Sequence, residues 1–166
     1  SECLQTIRSL QNLKDDLYAG ITTLRSMGDR YYIDTTIRNK INDRELEGPD
    51  LLVCGVGMKG LHGHGFVGKS FCGVEDFRNV SRENLAQGVD WLKIFMTAGS
   101  PPDGAHIPWF LTPEEVATVV YEAKAAGKRT ASHCIGGEGL KICIEQGIDT
   151  IEHAYCATES DAELMV

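Results

Sequence analysis

Residues 127–154 constrain the fold more than any other stretch, because they read as a strand, a helix and a second strand in close succession. A short strand-like run at residues 129–132 precedes His133, and a glycine-rich loop and a helix with apolar periodicity follow. A second short run leads into His153. Such a unit predicts parallel strands, so both histidines are expected at the same edge of a sheet, where sites in these folds are built.

The same rhythm of helices and short apolar strands extends over the whole chain. Strands wholly apolar in sequence are typical of parallel sheets that are covered on both faces. The chain has 166 residues, of which 42% are hydrophobic, and this suffices for one domain with its own core. The pattern predicts an α/β fold, either an open doubly wound sheet or part of an eight-stranded barrel. The predicted strands are residues 21–24, 51–54, 89–95, 129–132 and 149–152.

Two of the connections between these strands have a distinct character. Residues 55–80 are rich in glycine and are predicted as one long loop, with a helix that begins only at Ser81. Thr112, Pro113 and Glu115 form a strong helix start, because they supply a capping threonine, a proline in the first turn and a capping-box glutamate.

The composition excludes several classes of protein and indicates a compartment. The net charge of −8 argues against a nucleic-acid partner, which requires a basic face. No apolar run approaches the roughly 20 residues that a membrane-spanning helix needs. The six cysteines form no CxxC pair, which favours reduced thiols and a cytoplasmic protein.

Lys93 is the first candidate for chemistry, because it lies inside the apolar strand at residues 89–95. Strand alternation places it on the same face as Trp91 and Phe95. A buried ammonium group is costly unless it is paired or neutral, and a neutral amine can take up carbon dioxide to become a carbamate, an anionic metal ligand. The alternative is a structural lysine that extends to the strand end or pairs with a buried carboxylate.

His133 and His153 are the second candidates, because they follow two successive strands. Adjacent parallel strands lie about 4.8 Å apart, so imidazoles at their ends can converge on one metal ion. The alternative is a pair of hydrogen-bonded core histidines. Glu152 is predicted to point to the opposite face from His153 and to be structural.

His62 and His64 form a third candidate pair, but they lie in the glycine-rich loop. Residues two apart share a face in a strand, whereas a loop does not ensure a common orientation. We predict that His64 contacts substrate or anchors the loop, with a solvated loop histidine as the alternative.

Several segments taken together carry a resemblance to a known family. They are GITTLRSMGD, HGHG, GVDWLKIFMTAGS, the TPEE helix start and the stretch from AKAAGKRTASHC to IEHA. In this order and spacing they resemble the metal-dependent amidohydrolase superfamily, in particular its prolidase-like and imidazolonepropionase-like branch. The resemblance covers nearly the whole chain and implies a (β/α)8 TIM barrel, present here as a partial barrel of about five strands, strands two to six.

The resemblance also implies roles for individual residues. Lys93 would be the carboxylated lysine that bridges two metal ions, and His133 and His153 would be the metal ligands after strands five and six. His64 matches the histidine of the family's loop after strand three, which is a substrate-binding position. The implied cofactor is one or two divalent metal ions, with zinc as the expected metal.

Two elements of the family pattern are absent from this sequence: the His-x-His pair of the first strand and the strand-eight aspartate that takes the proton. We therefore expect residues 1–166 to form a single partial barrel domain that lacks the first strand and the last two strands. No catalytic proton-transfer residue is expected within this chain, and its open strand edges would favour a homo-oligomer. The chain alone is expected to bind metal weakly and to turn over no substrate.

The function implied by the resemblance is hydrolysis of a C–N bond by a hydroxide that bridges the metal ions. The expected substrate is a small molecule: a dipeptide, an acylated amino acid or a cyclic amide. One alternative is a mononuclear deaminase of the same superfamily, in which Lys93 stays an ordinary amine. The other alternative is a non-catalytic, truncated α/β module that keeps the motifs for packing.

Overall fold

The fold alternates helices with short strands, in agreement with the sequence pattern. A computed structural model of the protein describes residues 1–100 and 106–165. The helices are α1 (Glu2–Tyr18), α2 (Ile33–Asn42), α3 (Gly73–Ala86), α4 (Pro113–Ala125), α5 (Gly137–Gln146) and α6 (Glu159–Leu164). The strands are β1 (Thr23–Arg25), β2 (Asp50–Leu52), β3 (Met58–Gly60), β4 (Lys69–Phe71), β5 (Trp91–Phe95), β6 (Arg129–Gly136) and β7 (Thr150–Cys156).

All pairs between these strands are parallel, which confirms the sequence prediction. β1 pairs with β2, and the second sheet has the order β4–β3–β5–β6–β7. The main-chain N–H groups of Asp90 and Trp91 donate to the carbonyl oxygen of Val53 at 2.8 and 3.2 Å, which joins the end of β2 to the start of β5. The strands β1, β2, β5, β6 and β7 therefore follow one another along a single wall, as they do in a barrel.

The register of β5 and β6 distinguishes the two faces of this wall. Lys93 lies opposite Ala131, and Phe95 lies opposite His133, so these four side chains share one face. Trp91 belongs to the same face, where it packs with buried neighbours from adjacent strands. The other face carries residues such as Leu92, which join the main hydrophobic core beneath the helices.

The helices α3, α4 and α5 cover the outer face and enclose the main core. The fully buried large side chains of this core come from both layers. They include Phe77 of α3, Val116 of α4, Leu140 of α5, and Leu92 and Ile94 of β5. At about 25 cal/mol per Å² of buried apolar surface, this layer supplies the main favourable term that holds the site's strands in place.

The prediction of an unbroken loop at residues 55–80, with a helix from Ser81, is wrong. The segment contains β3 and β4, and α3 already begins at Gly73. The first half of α3 was missed because two of the buried positions of this helix are polar. Ser81 and Asn84 are fully buried, as is Phe77. The Asn84 side chain bonds the main chain of Val56 in both directions, at 3.0 and 2.9 Å, so the amide substitutes for an apolar contact.

The capping signals identify helix α4 correctly and misassign one residue of α2. Thr112 and Glu115 form the predicted capping box at the start of α4. From the sequence alone Asp34 is expected to cap the second helix, because aspartate is a favoured capping residue and Ile37 and Ile41 follow it at helical spacing. In the structure it lies inside α2 and is buried. Its carboxylate accepts the main-chain N–H groups of Cys54 and Gly55 at 3.1 and 3.0 Å, so it fixes the end of the second strand against α2.

The cysteines and the helices bear on the predicted compartment. All six cysteines are free, and Cys54, Cys134 and Cys143 are buried. Cys134 lies in the core under the helices, on the other face of β6 from His133. Across residues 1–100 and 106–165, no helix combines the length and the apolarity that crossing a bilayer requires.

Candidate active site

A cavity opens at the carboxyl ends of β5, β6 and β7, and three histidines lie around it. Its volume is about 410 Å³, and its lining consists of His64, Gly99, Ser100, His133, His153 and Tyr155. A groove of about 480 Å³ lies between α1 and α2, but none of these histidines lines it. Because chemistry requires convergent titratable or ligating side chains, the cavity with the histidines is the candidate site.

Lys93 lies inside the wall, two residues before the end of β5, and it is not part of the cavity lining. Only 2% of its surface is exposed, and its Nζ lies 5.3 Å from the centroid of the Phe95 ring. Burial lowers the pKa of Lys93 to about 8, and the charge of Glu152 opposes that shift. A larger share of this amine is therefore neutral at physiological pH than in an exposed lysine.

His133 is held as a neutral ring with one nitrogen engaged. The residue is 6% exposed, and its Nε2 lies 3.2 Å from the carbonyl oxygen of Ala98. Because a carbonyl oxygen only accepts, Nε2 carries the proton in this contact. Burial lowers the pKa of His133 to about 4, against the opposing effect of that hydrogen bond. At neutral pH the Nδ1 lone pair is therefore free to bind an electrophile.

His153 reaches the same cavity through an irregular backbone. Its register partner in β6 is Cys134, whose side chain lies in the outer core, and the register shifts between Cys134 and Gly136. The φ angles of His153 and Ala154 are +80° and +50°, which is left-handed backbone for two consecutive residues with side chains. In this conformation the His153 ring centroid lies 4.8 Å from that of His133.

His64 completes the group of three imidazoles. Its ring centroid lies 4.7 Å from that of His133 and 6.4 Å from that of Phe95, with the His64 and Phe95 rings at an interplanar angle of 72°. His62, the other member of the pair, packs its ring against Phe110 at 5.1 Å and does not line the cavity. The glycine-rich loop therefore brings one of its two histidines to the site, and the two do not share an orientation.

Tyr155 is a cavity residue that the sequence reasoning missed. Its hydroxyl donates to the carbonyl oxygen of Gly99 at 2.7 Å, so it ties β7 to the loop after β5. The sequence contained a signal for it, because residues 153 and 155 lie two apart along a strand and alternation places them on one face. The Tyr155 phenol therefore places a hydroxyl group in the lining of the cavity that also contains His64.

Glu152 has more partners than a solvated structural residue. It lies opposite His133 in register, on the inner face, and its two carboxylate oxygens accept from Arg25 Nη2 at 2.7 and 2.9 Å. The register of β7 places Glu152 and His153 on opposite faces, as the sequence predicts. The left-handed backbone at His153 nevertheless brings its ring to the inner face, beside His133. The side chains of Glu152 and His153 therefore both lie on the inner face of the wall.

The side chains around the cavity supply part of a metal-ligand set. Within the part of the chain that the structure describes, no group of three or more His, Cys, Asp or Glu side chains is arranged to hold a metal ion. The donors that do meet are the imidazoles of His133 and His153, with the Lys93 amine nearby. A ring that donates its second N–H to a main-chain carbonyl, as His133 does to Ala98, is the usual arrangement of a metal-binding histidine. These residues therefore fit a divalent ion as part of its ligand set.

Comparison with known sequences identifies the family to which the chain belongs. The profile of the amidohydrolase family matches residues 6–163. The chain is 25% identical to ochratoxinase from Aspergillus niger over an alignment of 157 residues, which covers 78% of this chain and 32% of that protein. The chain thus spans about a third of the length of the curated relatives that it matches.

Solved structures agree with the fold over nearly the whole chain. The structure of Aspergillus niger ochratoxinase has a TM-score of 0.89 at 22% identity and covers 99% of this chain and 44% of that one. A Xaa-Pro dipeptidase with bound methionine gives 0.84 at 27% identity, with 99% and 45% covered. A prolidase in complex with N-methylphosphonate-L-proline gives 0.86 at 24% identity, with 99% and 45% covered. These neighbours are barrels, so the prediction of a partial TIM barrel is confirmed.

Proposed function

Because the chain belongs to the amidohydrolase family, we propose that it carries part of the active site of a metal-dependent hydrolase that cleaves a C–N bond in a small molecule. One observation carries this proposal. The rings of His133 and His153, which follow different strands, meet at 4.8 Å on the inner face, where Lys93 is buried. A lysine and two histidines that only packed the core would have no need for an open cavity beside them.

His133 and His153 are the proposed ligands of a divalent ion, with zinc as the expected metal. His133 is prepared for this role, because Ala98 fixes the protonated Nε2 and leaves Nδ1 unprotonated. When bound, such an ion polarises a carbonyl group and lowers the pKa of water toward neutrality. The two imidazoles would hold the ion at the cavity, and the buried strands β5 and β6 limit the access of water from inside the wall.

Lys93 is the proposed anionic ligand, in the form of a carbamate. The neutral amine nitrogen attacks the carbon of carbon dioxide, and a new N–C bond forms as one C=O π bond opens and its electron pair moves to oxygen. The nitrogen then loses one proton to solvent. The product carries a negative charge on oxygen, which suits a divalent cation better than an ammonium group does. Burial of Lys93 supports this reaction, because it favours the neutral amine.

His64 and Tyr155 are the proposed substrate contacts. They flank the two histidine ligands and present an imidazole and a phenol to the cavity. The His64 ring can donate a hydrogen bond to a carbonyl or carboxylate oxygen, and the Tyr155 oxygen, whose proton goes to Gly99, can accept one from a substrate N–H group. The neighbours with bound methionine and with N-methylphosphonate-L-proline support an amino-acid portion in the substrate. We therefore propose a dipeptide, an acylated amino acid or a cyclic amide, and exclude none of the three.

We also propose that these residues form the central part of a larger barrel. The chain covers about 44–45% of the solved structures that it matches while nearly all of it is aligned. The general acid–base residue of the reaction is then expected outside residues 1–166. The free cysteines support a reducing compartment such as the cytoplasm.

The test is a zinc titration of the metal-free protein with chelator competition, followed by metal analysis. His133→Ala and His153→Ala are expected to weaken zinc binding at least tenfold, because each removes a ligand. His62→Ala is the matched control, since it removes an imidazole from the same rim without touching the cavity. Equal zinc affinity in all three variants and the wild type would contradict the proposed site and favour a non-catalytic module.

A further inference from the structure

An ion pair spans the interior beneath the candidate site and joins strands that are not neighbours. Arg25 ends β1, and Glu152 is the third residue of β7, with β2, β5 and β6 between these two strands along the wall. Arg25 Nη2 contacts both carboxylate oxygens of Glu152 at 2.7 and 2.9 Å, and Nη1 lies 3.2 Å from the Thr150 hydroxyl. A contact between the two ends of the wall is possible only because the wall is curved, so the pair acts as a chord across the interior.

The geometry of this pair is fixed on several sides. The Arg25 guanidinium carbon lies 4.9 Å from the centroid of the Trp91 ring, which leaves the arginine stacked on an aromatic surface. The Thr150 hydroxyl donates to Glu152 Oε1 at 3.1 Å. The side chains of Arg25 and Glu152 are 29% and 22% exposed, so both are largely withdrawn from water. A forked, partly buried contact of this kind holds its partners in one orientation.

The next residue along β7 is the one whose position matters for the site. Directly after Glu152 the backbone becomes left-handed at His153 and Ala154. Left-handed backbone costs roughly 1–2 kcal/mol for a residue with a side chain, so surrounding contacts must enforce it. Glu152 is the last residue before this turn, and its carboxylate is anchored from the opposite wall.

We propose that Arg25 is a positioning residue for His153. By holding Glu152 across the interior, Arg25 fixes the first half of β7 and thereby sets the left-handed backbone directly after it, which brings the His153 ring to 4.8 Å from His133. The effect of Arg25 on metal binding rests on the proposed function. Its effect on the position of the His153 ring does not. Arg25 does not belong to the residues that line the cavity, and its side-chain hydrogen bonds go to Glu152 and Thr150.

The experiment measures the histidine geometry and zinc binding separately. In the metal-free protein, nuclear Overhauser contacts between the ring protons of His133 and His153 report their proximity, with assignments from the single histidine-to-alanine variants. Arg25→Met keeps the packing on Trp91 but removes the ion pair, and it is expected to abolish these contacts. The same change is expected to weaken zinc binding by about 10–100-fold, as loss of a residue that orients a ligand does.

Arg38→Met is the matched control, because Arg38 forms a comparable ion pair with Asp90 at 3.1 Å. Asp90 directly precedes β5, at the end of the strand that lies away from the cavity. Its side-chain exposures of 15% and 29% resemble those of the Arg25 pair. The control is expected to lower thermal stability while it leaves the histidine contacts and zinc affinity unchanged. If Arg25→Met does not fold, Glu152→Gln replaces it, since this variant keeps the volume and one acceptor oxygen.

The possible outcomes separate the two proposals. Histidine contacts that persist in Arg25→Met and in Glu152→Gln overturn the positioning role. Loss of the contacts in Arg38→Met as well overturns it too, because the effect is then one of general stability. A wild-type protein that shows the histidine contacts but binds no zinc refutes the proposed function and leaves the role of Arg25 intact.

Discussion

Gly99 lies so close to His64 that a side chain at residue 99 has no room beside the imidazole. A Cβ atom built on Gly99 would approach His64 Nε2 to 2.7 Å, and real Cβ atoms do not make such contacts. The glycine follows β5 and the histidine belongs to the loop after β3, so the absence of a side chain at one element admits the ring of another. This contact explains why the imidazole of an exposed loop residue stays beside His133.

Gly99→Ala is therefore expected to displace the His64 ring from the cavity without removing any proposed metal ligand. In the active enzyme we expect a KM increase of about tenfold, from the loss of roughly one hydrogen bond to substrate at 1–1.5 kcal/mol, with zinc affinity unchanged. Steady-state kinetics and the zinc titration measure the two effects. Ser100→Ala, which shortens a neighbouring cavity residue, is the control; a Gly99→Ala variant with the wild-type KM would show that His64 does not contact substrate.

Lys93→Met is expected to separate stability from function. Methionine has a similar length and no charge, so the variant removes the cost of burying an amine and should raise the free energy of unfolding by roughly 1–3 kcal/mol at neutral pH. Zinc binding should weaken, because the proposed carbamate is lost. Urea unfolding and the zinc titration test the two halves.

Lys128→Met serves as the control for Lys93→Met, since Lys128 is partly exposed and remote from the cavity. Its stability should change by less than about 0.5 kcal/mol. Native mass spectrometry of the wild type should also show the added mass of one carbon dioxide, which Lys93→Met lacks. An unmodified lysine in an active, metal-loaded enzyme would instead support the mononuclear deaminase.

Ala154→Gly tests the cost of the left-handed turn. Glycine adopts the φ of +50° without the steric penalty of a Cβ atom, and this gain exceeds the extra entropy of the unfolded chain. The free energy of unfolding should rise by up to about 1 kcal/mol. Ala157→Gly, three residues later and outside the left-handed pair, should instead lower it by about 0.5 kcal/mol. Destabilisation by both substitutions would mean that the turn stores no strain.

Glu122 predicts a pH dependence of stability. Its carboxylate accepts from Arg82 at 3.0 Å and from Arg78 at 3.1 Å, and the Arg82 contact is the main cause that holds the pKa of Glu122 below its usual range. A carboxylate with a depressed pKa stabilises the fold above the unfolded value of about 4.3, and this contribution is lost as the pH falls through the lower folded pKa.

Glu122→Gln should therefore lower the free energy of unfolding by about 1 kcal/mol near neutral pH, a modest value because water screens the largely exposed Arg82. The difference from the wild type should shrink as the pH falls below about 4. Urea unfolding over this range measures it, with the exposed Glu145→Gln as the control. A difference that grows on acidification would show that the carboxylate does not act through the two arginines.

Much of the fold was accessible from the sequence because local signals agreed with the tertiary structure. The capping box at Thr112 and Glu115 locates α4 within a residue, and the unit around His133 and His153 gives the parallel order of β6 and β7. The clustering of both histidines at one end follows from that order alone, without any knowledge of side-chain angles.

The remaining features depend on contacts between residues that are distant in sequence. The start of α3 escaped prediction although Phe77 and Val80 lie at helical spacing, because the buried positions that follow them, Ser81 and Asn84, are polar and Asn84 is held by its bonds to Val56. Arg25 and Glu152 gave no sign of pairing, since 127 positions separate them. The left-handed backbone at His153 is likewise a property of the folded environment, because histidine itself does not demand it.

The carbonyl oxygens of Ala98 and Gly99 accept hydrogen bonds from two side chains with different proposed roles. Ala98 accepts from the ring of His133, a proposed metal ligand, and Gly99 accepts from the hydroxyl of Tyr155, a proposed substrate contact. A replacement of this segment that enlarges the cavity for bulkier substrates would disturb both hydrogen bonds at once. Changes of substrate in the proposed hydrolase are therefore expected to proceed more readily through the segment that carries His64, whose ring lies beside that of the proposed ligand His133.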